Sequence, residues 1–227
     1  MTFTILIATA SYFNWFSIDA ALAADINITS GARADSVMTL VDLVSTGSIN
    51  DLSTYLENVS EELWLQKETT EEAILQAVAQ RCRIEIIILL KEYGFELSTK
   101  QGSTLFHQLA FIEPIEKSIE CMDTLIQAGL DINAVDKKGH TALIDTLYSH
   151  QDGALTVLEG LLSRGADPTI RSDLGLDLLH HALLLRLLYT EVVTDGDSAF
   201  NIKAREMIQF AEQVSHLVTS TYSSSKN

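Results

Sequence analysis

The chain has 227 residues, of which 47% are apolar and only two are proline. That is enough hydrophobic material for one buried core or a short stack of repeated units, and it excludes a disordered tail. With 31 acidic against 15 basic side chains, the formal charge of -16 argues against nucleic acid or an anionic membrane surface as partner and leaves another protein as the best fit. Residues 1–34 form an apolar N-terminal segment. Met1 to Ile18 carries no charge, and Ala21-Leu22-Ala23 before Ala24 resembles a secretory cleavage site, so export to a periplasmic or extracellular space is one expectation. An apolar helix packed on the first repeated unit in a cytoplasmic protein is the other, because the segment lacks an early Lys or Arg and Asp19 precedes the proposed cut. No stretch reaches the 20 or so apolar residues of a membrane span.

From residue 35 onward the pattern is periodic. Gly94, Gly129 and Gly165 each end an apolar helical run, at intervals of 35 and 36 residues. A second series, Gly102, Gly139 and Gly175, follows in step, so each unit has a helix-ending glycine, a polar excursion and a turn glycine before the next helix. Counting back from the first series places Ile86, Ile87 and Leu90, then Cys121, Met122 and Leu125, then Val157, Leu158 and Leu161 at equivalent positions. These share a helical face that a neighbouring unit has to cover. Upstream, Ile74 to Val78 and Ile84 to Tyr93 read as a helix pair, and Val41 to Leu56 as a first, polar-edged unit.

These residues resemble the ankyrin-repeat family. The nearest stretch is Asp136-Lys137-Lys138-Gly139-His140-Thr141-Ala142-Leu143, preceded by Ala128-Gly129-Leu130-Asp131-Ile132-Asn133. Gly165-Ala166-Asp167-Pro168 is equally typical, and the stretches Lys100 to His107 and Asp173 to His180 are degenerate copies. The resemblance implies an all-α ankyrin-repeat solenoid of stacked helix-turn-helix units over 35–198, with a C-terminal capping helix over 199–219 and a frayed tail over 220–227. Relative to the family pattern the chain lacks the proline after the motif threonine, and it carries extra residues around Ile112 to Ile115, Ser149 to Gly153 and Thr190 to Ser198. All of these fall between the two helices of a unit, on one edge of the stack.

No catalytic site emerges. The sequence has no Gly-x-Ser-x-Gly, no phosphate-binding Walker loop and no His-Glu-x-x-His. Glu57, Glu61, Glu62, Glu68, Glu71 and Glu72 read as a solvated face. His180 and His181 are adjacent and point about 100° apart on a helix, so neither a metal nor a cofactor is expected. By the resemblance, His107 and His180 occupy the motif histidine position that serves hydrogen bonding between units. Cys82 and Cys121 are expected to be buried free thiols without a bridge, since they fall in different layers at non-equivalent positions and packed helices lie about 8–10 Å apart. The turns place Lys100, Gln101, Lys137, Lys138 and Arg171 at projecting tips, a basic row on an acidic protein and the expected contact surface for a protein partner. The expected function is a non-enzymatic, monomeric binding module, of the inhibitor or immunity type, with a scaffold or chaperone-like accessory as the alternative.

Overall fold

A computed structural model describes residues 31–58, 72–112, 114–149, 153–194, 196 and 198–224, with the backbone alone for 31–38, 72 and 222–224. The leader-like segment over 1–23 and Glu61, Glu62, Glu68 and Glu71 lie outside the described residues. The chain divides into two compact units, Met1–Ser36 and Val37–Asn227.

Among the described residues there are ten α-helices and no named strand. They are α1 (Gly31–Thr46), α2 (Ile49–Asn58), α3 (Glu72–Arg81), α4 (Ile84–Glu92), α5 (Leu105–Gln108, continued by a tighter turn over Leu109–Phe111), α6 (Ile115–Gln127), α7 (Ala142–Tyr148), α8 (Ala154–Ser163), α9 (Leu178–Val192) and α10 (Ala199–Ser224). They pack in two rows. The first member of each pair touches the first member of the next, α3 on α5, α5 on α7 and α7 on α9. The second members run beside them, α2 on α4, α4 on α6, α6 on α8 and α8 on α10.

Glycine spacing fixes this register, because α4, α6 and α8 each stop where the chain enters positive φ, at Gly94, Gly129 and Gly165. The nine apolar positions counted back from those glycines are all buried. Leu90, Leu125 and Leu161 have no exposed surface at all. Side chains also cross between pairs to satisfy helix-end carbonyls: Arg81 Nη1 donates to Val44 O (3.1 Å) and Lys91 Nζ donates to Ala128 O (2.8 Å). Arg164 forms a two-pronged pair with Asp123 of the preceding second-row helix, at 2.7 and 2.9 Å. The guanidinium holds the Asp123 carboxyl below the usual range.

Two boundaries differ from expectation. The helix α9 continues to Val192, so the last insertion is shorter than Thr190 to Ser198. The terminal helix runs to Ser224 rather than fraying from residue 220, and it buries Ala204, Met207, Ala211, Val214 and Val218 along one stripe.

The cysteines overturn the expectation of free thiols. Cys82 and Cys121 form a disulfide, with Cα atoms 5.6 Å apart. The spacing of packed helices does not apply to this pair, because Cys82 lies outside a helix. It occupies the turn between α3 and α4, at a φ of 43°, and that turn carries its backbone to the flank of α6 where Cys121 is buried.

Candidate interaction surface

Before each of α5, α7 and α9 the chain makes a tight finger-like turn, built from the same bonds each time. Thr99 N–H donates to Ser103 O (2.9 Å), Asp136 N–H to His140 O (2.9 Å) and Ser172 N–H to Leu176 O (2.9 Å). The turn glycine closes each tip: Gly102 N–H donates to Thr99 O, Gly139 N–H to Asp136 O and Gly175 N–H to Ser172 O. A side chain braces the turn from inside. The hydroxyl of Thr99 accepts from the N–H groups of Gln101 and Ser103, and Asp136 Oδ1 accepts from Lys138 and His140 N–H, both at 2.8 Å.

Adjacent tips are joined by main-chain bonds, Lys137 N–H to Gln101 O (2.7 Å) and Asp173 N–H to Lys138 O (2.9 Å). They approach so closely that a Cβ on Gly139 would stand 2.8 Å from Asp173 N. With φ at 71°, glycine is required there for two reasons at once.

This ladder displays Lys100, Gln101, Lys137 and Lys138 outward, all exposed, on the first two tips. Arg171 is also exposed but sits one residue before the third finger, at the place of Val135 in the second. The tip positions themselves hold Asp173 and Leu174. The structure therefore brings four of the five expected residues together and leaves Arg171 at the base of an acidic and apolar tip.

Behind the tips lies a layer of histidines. His107 behaves as the resemblance implies. Thr104 N–H donates to its Nδ1 (3.1 Å), which leaves the proton on Nε2 to donate to His140 O of the next pair (3.0 Å). His180 does not make such a bond. Its Nδ1 lies 2.7 Å from Asp177 Oδ1 in its own turn, and the side chain is half exposed. Burial would raise the Asp177 carboxyl, but hydrogen bonds from the His180 ring and N–H outweigh it and hold the group below the ordinary range.

The bond across the last junction belongs instead to His181, which is 1% exposed. Its Nδ1 meets the Tyr148 hydroxyl of the preceding pair and its Nε2 meets the Ser172 hydroxyl, both at 2.9 Å. The rings of His140 and Tyr148 stand edge-on to it, with centroids 5.5 and 5.7 Å away. Burial, reinforced by the nearby His140, pushes the His181 pKa down to about 4. The resemblance marks the neighbouring His180, so the sequence alone did not single out His181; Leu178 three residues before it and Leu184 and Leu185 three and four after it are the signal that it faces inward.

Among the described residues, one group has the ligand types and spacing to hold a metal: Asp136, His140 and Asp145, whose ligand atoms lie within 4.8 Å of one another. Asp136 Oδ1 is already engaged by two backbone N–H groups, and His140 Nδ1 lies 3.3 Å from Asp145 Oδ1. These bonds shape the second finger and anchor α7. No described helix is long and apolar enough to cross a membrane.

No protein-family model matches the chain. The chain is similar to the ADP-ribosylation factor GTPase-activating protein AGD4 of Arabidopsis thaliana, with 28% identity over 141 residues. That stretch is 62% of this chain and 17% of the relative, so the chain spans about a sixth of that protein's length.

Proposed function

We propose that this chain is an ankyrin-repeat protein that binds another protein, without catalysing a reaction, through its fingertips and the adjoining first-row helices. The observation that carries the reading is the finger ladder: tips far apart in sequence are hydrogen-bonded side by side and present Lys100, Gln101, Lys137 and Lys138 on one edge. A rigid row of cations on a protein of charge -16 suits a partner with an acidic patch, and the surrounding negative surface disfavours misoriented encounters. Inhibition or neutralisation of that partner fits this surface, and stabilising it as a scaffold is the alternative role. The activity in the name of the Arabidopsis relative is not carried over, because the aligned stretch is only 17% of that protein.

The test is to capture the partner on the tagged full chain and then measure association rates across salt concentrations. Lys137→Glu should slow association and flatten its salt dependence while leaving melting unchanged. Lys203→Glu on α10 makes the same charge change away from the ladder. Equal binding by both variants and the wild type at low and moderate salt would remove the fingertips from the interface.

A further inference from the structure

Among the described residues no helix pair follows α9 and α10, and the side of α9 that corresponds to the covered side of α5 and α7 is apolar. In the finger-helix register, Leu183 corresponds to Leu147 and Ala110, which are 0% and 4% exposed because the next pair lies over them, whereas Leu183 is 40% exposed. His180 corresponds to His107, which bonds to the next pair through Nε2. One turn further along the same face, Leu187 is 56% exposed. His180, Leu183, Leu184, Leu187 and Glu191 thus form a single stripe at helical spacing, continuous with the junctions that hold the earlier pairs together.

The neighbouring helix narrows the choice of occupant. Beyond its first turn, where Phe200 and Ile202 are exposed, α10 shows Glu206, Gln209, Glu212 and Gln213 outside its buried stripe. A further two-helix unit would have to desolvate those side chains, whereas a single helix lying along α9 would not. The stripe is also self-complementary. Two α9 helices laid antiparallel about a two-fold axis level with Leu185 set Leu183 of one copy opposite Leu187 of the other. The same operation brings His180 of each copy level with Thr190 and Glu191 of the second copy, so polar groups at the two ends of the stripe meet polar groups.

We propose that the α9 stripe pairs with the α9 stripe of a second copy of this chain, giving a symmetric dimer in place of the monomer expected from the sequence. The fingertip ladder is not part of this contact, so the dimer stands or falls independently of the partner-binding reading. A single pair of helices of this length buries an area at the low end of specific interfaces, and the dimer should therefore dissociate on dilution.

Sedimentation equilibrium on the full chain, disulfide intact, from about 5 to about 500 μM reads the proposal directly. The expected result is a shift from 25.0 kDa towards twice that mass. Leu183→Glu and Leu187→Glu should each raise the dissociation constant about tenfold or more, with the circular dichroism spectrum unchanged since both side chains are already solvent-exposed. Ile126→Glu, at a similarly exposed apolar position on α6, should leave the dimer intact. Should either glutamate variant misfold, Leu187→Ala decides, with a few-fold weakening expected. A wild-type monomer across the whole range overturns the proposal. So does a dimer indifferent to Leu187, or one weakened equally by Ile126→Glu, which would indicate general stickiness or a different face.

Discussion

The same geometric problem, closing the gap between successive helix pairs, is solved with different chemistry at two junctions of the stack. Where α3 and α4 meet α5 and α6, the closure is apolar and covalent: Ile86, Ile87 and Leu90 face Cys121, Met122 and Leu125, and the turn at Cys82 is bonded to Cys121. Where α7 and α8 meet α9 and α10, a buried polar group spans the junction, with His181 held between the hydroxyls of Tyr148 and Ser172. The first junction ignores pH and depends on redox conditions; the second does the reverse. Stacking by itself therefore does not determine how successive helix pairs respond to their surroundings, since each junction carries the sensitivity of the groups that close it.

The largest expected effects test what the two junctions share. Leu90→Ala, Leu125→Ala and Leu161→Ala each leave a cavity at a position with no solvent exposure and should each cost about 2–5 kcal/mol in denaturant unfolding. Losses below about 0.5 kcal/mol at all three would break the register on which the comparison rests. Next comes the covalent closure. Reducing a bond that links residues 39 apart frees a loop whose closure is worth about 4 kcal/mol in the chain-entropy account, and Cys82→Ser with Cys121→Ser should reproduce the loss without reductant.

The polar closure should show itself on acidification. His181 titrates at about 4 in the fold, below the ordinary 6.5, so the folded state favours the neutral ring. Its contribution is complete above pH 6.5, fades as pH falls towards 4 and amounts to about 3 kcal/mol over that window. The difference in unfolding free energy between wild type and His181→Gln should therefore narrow across that range, with or without reductant. A constant difference from pH 7 to 4 would mean that His181 does not sense protons. The smallest effect belongs to the other half of that bond. Tyr148→Phe leaves Nδ1 of His181 without its hydroxyl partner and should cost about 1–2 kcal/mol at neutral pH, less if water takes the place.

Legibility followed the same division. The apolar junctions could be read from the sequence because glycine at positive φ ends α4, α6 and α8 at a fixed distance from the residues each buries, and Leu90, Leu125 and Leu161 lie where that count places them. The fingertips were legible for a related reason, each turn glycine marking a tip, although Arg171 falls two positions short of its own. The disulfide was not, since the spacing of packed helices was applied to both cysteines, and it says nothing about Cys82 in the turn between two helices. The polar junction was missed because hydrogen bonding between units was expected at His180, while a shift of one residue around the helix carries the inward position to His181. The long α9 and α10 escaped because the last pair lacks the glycine that ends the earlier units.

One consequence of the Cys82–Cys121 bond concerns chain continuity. The bond makes residues 82–121 a closed ring, and the exposed tip at Lys100 lies inside that ring. A protease that cuts after Lys100 would sever the peptide backbone and still leave a single molecule, both pieces held by the sulfur bridge and by the bonds of the surrounding helix pairs. On a denaturing gel the nicked chain would run as one species until a reductant is added and as two afterwards. A fingertip exposed to solvent is also a place where proteases reach first, and here the covalent ring means that a single cut at that tip does not divide the protein.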